Sequence, residues 1–191
     1  MLSLRTFRVA AIVMSAAVAV GVLQVVSAQS APQVGDKAAD FELPANDGKT
    51  VKLSQALETG PVVLVVLRGF PGYQCPVCNQ QVGQFLGKAD AFKAAGATVL
   101  FVYPGAKASL MQRAGEFMKD KAIPDHFRLL VDGDYKFTNA YKLRWDAPNE
   151  TAYPSTFVIQ KDRQISYALV SKTHGGRAKV DDVLQSLAAK R

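Results

Sequence analysis

The residue pattern predicts an α/β domain with a central mixed sheet flanked by helices and an N-terminal β-hairpin extension. Three observations carry that expectation. Residues 62–67 and 97–103 are unbroken apolar runs rich in β-branched side chains, as in strands buried on both faces of a parallel sheet. Each is followed by a stretch with apolar residues three and four apart, the period of a helix. Near the C-terminus, residues 156–160 and 165–170 flank a turn and read as an antiparallel pair closed by a last helix.

Taken in order, the chain opens with Arg5 and Arg8 and then runs apolar over residues 9–26 apart from Ser15 and Gln24. Val26-Ser27-Ala28 offers small residues for a cut before Gln29. Residues 1–28 therefore read as a secretory signal peptide and 29–191 as one folded domain. An uncleaved N-terminal membrane anchor is the alternative, because the apolar run is close to spanning length.

Residues 39–43 and 50–53 alternate polar and apolar around Asn46-Asp47-Gly48 and predict a hairpin. Ser54 is placed to cap a short helical turn before Gly60. After the 62–67 strand, Val82, Phe85, Leu86, Ala89 and Phe92 predict one helix over 79–95. Strand 97–103 ends at Pro104-Gly105, and Leu110, Ala114, Phe117 and Met118 mark a helix over 107–121. A strand at 127–131, a short helix at 135–143 and a closing helix at 180–190 complete the set. The order is β, α, β, α, an inserted strand and helix, then β, β, α. That is the thioredoxin topology with an N-terminal hairpin and a central insertion.

The formal net charge is +7; the leader carries two arginines and no acid, so its removal leaves +5. The surplus lies in single lysines and arginines with no basic block, which argues against a nucleic-acid partner. Chemistry concentrates in Arg68-Gly-Phe-Pro-Gly-Tyr-Gln-Cys75-Pro-Val-Cys78, which holds both cysteines of the chain where a buried strand hands over to a helix. A first helical turn presents unpaired N–H groups and positive dipole, which favours thiolate over thiol. Pro76 suits the first helical position. A structural zinc site would need a second pair, and the chain has only His126 and His174, far apart in sequence, so no metal is expected. A dithiol that cycles with its disulfide and a static structural disulfide are the competing readings. The second would close only a four-residue loop, for which the stabilisation is small.

Three segments carry a family likeness. Val34-Gly-Asp-Lys-Ala-Ala-Asp-Phe-Glu-Leu43, with Gly48 and Leu53, resembles the opening of the peroxiredoxin (alkyl hydroperoxide reductase/thiol-specific antioxidant) family. Leu67-Arg-Gly followed by Cys75-Pro-Val-Cys78-Asn resembles the peroxiredoxin-like redoxins, and Tyr153-Pro-Ser-Thr-Phe-Val-Ile159 is similar to the Pro-x-Thr-Phe segment of thioredoxin-like reductases. The likeness spans residues 34–189. It implies a thioredoxin-like fold, catalysis by Cys75 and Cys78, and positioning of substrate by Pro154, Arg68 and Thr156. It also implies a cis bond before Pro154, where a partner's extended chain would pair.

The departures from that family bear on mechanism. Its frame is Pro-x-x-x-Thr-x-x-Cys; here Pro71-x-x-x-Cys75-x-x-Cys78 puts Cys75 in place of the threonine. In that register Cys78 attacks and Cys75 resolves; in the thioredoxin register the roles reverse. The family's arginine, three residues before the strand phenylalanine, falls at Pro154, so Arg68 and Arg144 are the candidate substitute cations. His174 reads as a solvated histidine in a glycine-rich turn, Trp145 as packing on the inserted helix, and Phe70 and Tyr73 either as walls of the cysteine cleft or as a cap on the core.

The expected function is that of an exported thiol–disulfide oxidoreductase, a peroxiredoxin-like antioxidant protein reducing hydroperoxides or protein disulfides. It would draw on an external thiol electron donor and need no cofactor, nucleic acid or stable membrane insertion after leader removal. The alternative is a non-catalytic binding module with a static disulfide.

Overall fold

Strand β3 (Val62–Val66) is buried at every position and lies at the centre of a five-stranded sheet of order β5-β4-β3-β6-β7. Its neighbour β4 (Thr98–Gly105) and the edge strand β5 (Phe127–Gly133) run parallel to it. On its other side, β6 (Ser155–Ile159) and β7 (Ile165–Val170) are antiparallel. Side chains alternate across a strand, so β3 serves two cores. Val63 and Val65 face Val82, Phe85, Phe101 and Phe127, whereas Val62, Leu64 and Val66 face Leu53, Leu57, Phe137 and Phe157. This explains the unbroken apolar run: neither face meets solvent. The structure, a computed structural model, describes residues 30–68 and 73–189. The expected leader, Phe70 and Pro71 lie outside the described residues.

The N-terminal hairpin, β1 (Glu42–Pro44) with β2 (Thr50–Lys52), pairs Leu43 with Val51. It covers the open edge of β5 through an Ala45–Leu130 bridge and a hydrogen bond from Asn46 N–H to the Leu129 carbonyl (2.9 Å), so β5 offers less unpaired backbone to another chain. Helix α1 (Leu53–Thr59) follows, and here the expected cap fails. Ser54 lies inside the helix, and its N–H is satisfied by the Asp40 carboxylate at 2.9 Å. The α1–β3 turn then passes so near the next crossover that a Cβ on Gly60 would sit 2.0 Å from the Gly96 carbonyl oxygen.

The single helix expected over 79–95 is two: α2 (Pro76–Leu86) and α3 (Ala89–Ala94). Gly83 and Gly87 weaken the helix locally, and Lys88 leaves helical geometry at φ −115°, ψ 20°. The break has a packing consequence. Phe85 and Phe92, seven residues apart, would be about 10 Å apart along a continuous helix; after the break their rings stack at 5.4 Å. Helix α4 (Leu110–Met118) is shorter than the expected 107–121, because left-handed Ser109 and Asp120 bound it. Helix α5 (Lys136–Ala140) starts where the buried Asp132 carboxylate accepts the N–H groups of Phe137 (2.8 Å) and Thr138 (2.9 Å). Helix α6 (Val180–Ala188) closes the fold, with Val183 and Leu187 in the α2 core. Among the described residues no helix is long and apolar enough to cross a membrane.

Candidate active site

The site forms at the carboxyl end of β3, where open α/β sheets characteristically leave a crevice. Cys75 is the N-cap of α2 (φ −62°, ψ 114°), Pro76 is its first residue and Cys78 its third. Both cysteines are free thiols and buried, Cys75 3% exposed and Cys78 fully enclosed. Cys78 is gripped by the strand end itself: its thiol donates to the Arg68 carbonyl at 2.9 Å, and its sulfur accepts the Arg68 N–H at 3.2 Å. Hydrogen bonding to the Cys75 sulfur, burial and the charge of that neighbour push the Cys78 thiol up, against the lowering pull of Arg177 and the Arg68 N–H. Cys75 goes the other way. A hydrogen bond from the Cys78 side chain, the Cys78 backbone N–H and the nearby Arg177 and Arg68 charges overcome its burial and bring it down to about 5. The one proton of Cys78 thus has two acceptors in reach, the Arg68 carbonyl and the Cys75 sulfur.

Beside Arg68, which the sequence singled out, a second cation that it did not reaches the sulfurs. Arg177 extends Nη2 to within 3.3 Å of Cys78 Sγ and 3.9 Å of Cys75 Sγ. Its Nη1 donates to the carbonyls of His174 (2.9 Å) and Gly176 (2.7 Å), and among the described residues its buried Nε has no partner. The glycine-rich turn makes this reach possible. Ser171 Oγ and the Thr173 side chain tie the loop together, and a Cβ on Gly176 would lie 2.1 Å from Ser171 Oγ. The signal was therefore the Gly-Gly-Arg triplet, with a glycine fixed by close approach next to an arginine.

Arg68 holds a bidentate ion pair with Glu150, Nε to Oε2 at 2.5 Å and Nη2 to Oε1 at 2.8 Å, with both side chains under 10% exposed. It therefore borders the cysteines with its backbone and a paired guanidinium, not as a bare cation. Arg144 is turned to other work: its guanidinium donates to the carbonyls of Trp145, Glu150 and Thr151 and lies over the Tyr135 ring. His174 also binds Glu150, Nε2 to Oε1 at 2.8 Å. Trp145 corrects another expectation: its ring stacks on Tyr153 and against His174, both at 4.9 Å between centroids, on the site side of the molecule. Tyr73 is exposed.

The cis bond expected before Pro154 is absent; no cis peptide occurs among the described residues. Pro154 instead precedes β6 in trans, and its carbonyl accepts the Ser171 N–H at 2.9 Å, continuing the pairing with β7. That carbonyl is thereby engaged within the sheet. Thr156 pairs with Val65 across β3 and faces α2, where Gln81 Nε2 reaches its hydroxyl at 3.4 Å. Gln81 is 2% exposed, and among the described residues its Oε1 has no partner.

Comparison with known proteins identifies the family. The AhpC/TSA family model matches residues 34–168. Peroxiredoxin Bcp of Bacillus subtilis is 29% identical over 138 residues, covering 70% of this chain and 82% of the relative. The chloroplastic peroxiredoxin Q of rice (Oryza sativa subsp. japonica) is 29% identical over 133 residues, a match covering 70% of this chain and 57% of the longer plant protein. Among solved structures, peroxidoxin BcpB from Mycobacterium tuberculosis superposes with a TM-score of 0.65 at 26% identity, over 83% of this chain and 97% of that one. A yeast mitochondrial 1-Cys peroxiredoxin shares the fold at 16% identity, with a TM-score of 0.67 over 83% of this chain and 76% of its own. A thioredoxin-like sheet, a cysteine pair at the start of a helix and these matches together place the chain in the AhpC/TSA (peroxiredoxin) family, as a thiol-dependent oxidoreductase.

Proposed function

We propose that the protein reduces hydroperoxides, with Cys75 as the attacking thiolate and Cys78 as the resolving thiol. The carrying observation is the Arg177 guanidinium, within 4 Å of both sulfurs. It supplies the positive charge that the family's arginine position, occupied here by Pro154, cannot. The Cys75 thiolate attacks the distal oxygen, the O–O bond breaks, and an alcohol or water leaves with the sulfur oxidised to sulfenic acid. Cys78 then attacks that sulfur, water departs, and the Cys75–Cys78 disulfide forms. An external thiol donor restores the dithiol by exchange.

Two further atoms suit a hydroperoxide, whose terminal O–H both donates and accepts. Arg177 Nε is a buried donor and Gln81 Oε1 a buried acceptor without partners among the described residues, and a buried polar group left so is costly unless something fills the gap. A protein-disulfide substrate has less support, since the Pro154 carbonyl is occupied within the fold.

Stopped-flow oxidation by hydrogen peroxide tests the assignment. Wild type is expected to lose two thiols per peroxide. Cys75→Ser should abolish the reaction, and Cys78→Ser should stop after one turnover with a trappable sulfenic acid. The reverse pattern in the two variants would transfer the attack to Cys78. Export is part of the same reading, resting on the basic start and apolar run before Gln29; the mature N-terminus, read by mass, should then be Gln29.

A further inference from the structure

The contacts around the sulfurs close into a ring. Arg68 grips Cys78 with its backbone and Glu150 with its side chain. Glu150 holds His174 at 2.8 Å, the His174 carbonyl receives Arg177 Nη1 at 2.9 Å, and Arg177 Nη2 returns to Cys78 at 3.3 Å. Two of these links, Glu150–His174 and Cys78–Arg177, tie the loop between β7 and α6 to the groups that Arg68 holds at the end of β3. The Trp145–His174 ring contact at 4.9 Å and Lys172 Nζ over the Tyr153 ring at 4.1 Å also attach the loop. The Glu150 side chain is buried while that of His174 is 58% exposed, so the loop is clamped from inside through one histidine.

We propose that Glu150 and His174 are positioning residues that act through Arg177: their contact holds the loop where the guanidinium reaches both sulfurs. This deepens the peroxidase reading without making either residue touch substrate. The clamp has a signature of unusual sign. Glu150 is an anion near a thiolate, so by direct charge its loss would favour the thiolate and lower the Cys75 titration midpoint. Loss of positioning does the opposite, because Arg177 withdraws and only Arg68 of the two nearby cations is left to the thiolate.

The experiment is alkylation of the reduced, full-length protein by iodoacetamide across pH, which needs no peroxide and so stands apart from the peroxidase reading. It is run on wild type, Glu150→Gln, His174→Ala, Arg177→Gln and the two doubles with Arg177→Gln. The Arg177→Gln midpoint should rise by about 1–3 pH units, the usual effect of removing a close opposite charge. Each clamp variant should rise in the same direction, and adding Arg177→Gln to either should move the midpoint no further than Arg177→Gln alone. Reaction with hydrogen peroxide should slow by about a hundredfold in the clamp variants, the scale of an ångström's misplacement. His174 is exposed, so its variant folds even if Glu150→Gln does not. A midpoint that falls or stays in His174→Ala, or an undiminished Arg177→Gln increment on top of it, overturns the proposal.

Discussion

At the scale of single residues, the two sulfurs differ because their surroundings differ, although they are one helical turn apart. Cys75 sits on the helix cap with cations nearby; Cys78 is fully enclosed, with a carbonyl oxygen at 2.9 Å. A couple whose reduced form is stabilised by charge is an oxidising one. The Cys75–Cys78 pair should therefore show a reduction potential above the roughly −270 mV of thioredoxin, measured by equilibration with a glutathione buffer. A static disulfide would lie below about −300 mV instead. Arg177→Lys tests how much of the rate depends on a fork of donors rather than on charge alone. Its peroxide reaction should slow by about 100-fold or more, as for loss of one preorganised donor, while the Cys75 midpoint stays closer to wild type than in Arg177→Gln. The cysteines and their frame were legible in the sequence because covalent spacing sets them. Arg177 was not, since it is 99 residues from Cys78 and only the folded loop brings them together.

Secondary elements determine how those residues are presented. The loop that delivers Arg177 depends on Gly176, whose missing side chain leaves room for Ser171. Gly176→Ala should leave the global fold intact yet raise the Cys75 midpoint, because the loop must shift to admit the methyl group. The break after α2 is a second case. Stacking of Phe85 on Phe92 belongs to the core beneath the active helix, and Phe92→Ala should cost about 3–5 kcal/mol of stability in urea unfolding. Strands were the easier elements to foresee, since a run buried on both faces is apolar throughout. Helix limits were harder. The ends of α4 and the gap between α2 and α3 are set by left-handed residues and glycines, and an apolar period carries through such breaks unmarked. The Pro-Ser-Thr-Phe segment misled for a related reason: the motif fixes the strand that follows, but the bond before Pro154 is trans and its carbonyl is spent on β7.

For the whole molecule, the charge on the site links to folding. Cys75 titrates near 5 in the folded protein and near 8.5 when unfolded. Between those values the unfolded chain binds more protons, so stability of the reduced protein should rise with pH from about 5 to about 8.5. Below that window Glu150, held under the ordinary carboxylate range by its hydrogen bond to Arg68, adds to the acid loss. Above it the raised Cys78 thiol reverses the slope, because the unfolded chain then releases a proton first. Urea midpoints of the reduced protein should therefore peak at about pH 8.5, and Cys75→Ser should flatten the acid limb. The overall topology was readable from element order alone, because right-handed crossovers leave few ways to arrange such a sequence. One feature of it reaches beyond equilibrium. The first described segment is fastened to the far side of the chain, with the Arg163 guanidinium on the Ala38 carbonyl 125 residues away and Lys37 bridged to Gln164. On a ribosome that fastening must wait until most of the polypeptide has emerged, so the leading end stays undocked through synthesis and open to whatever machinery receives it.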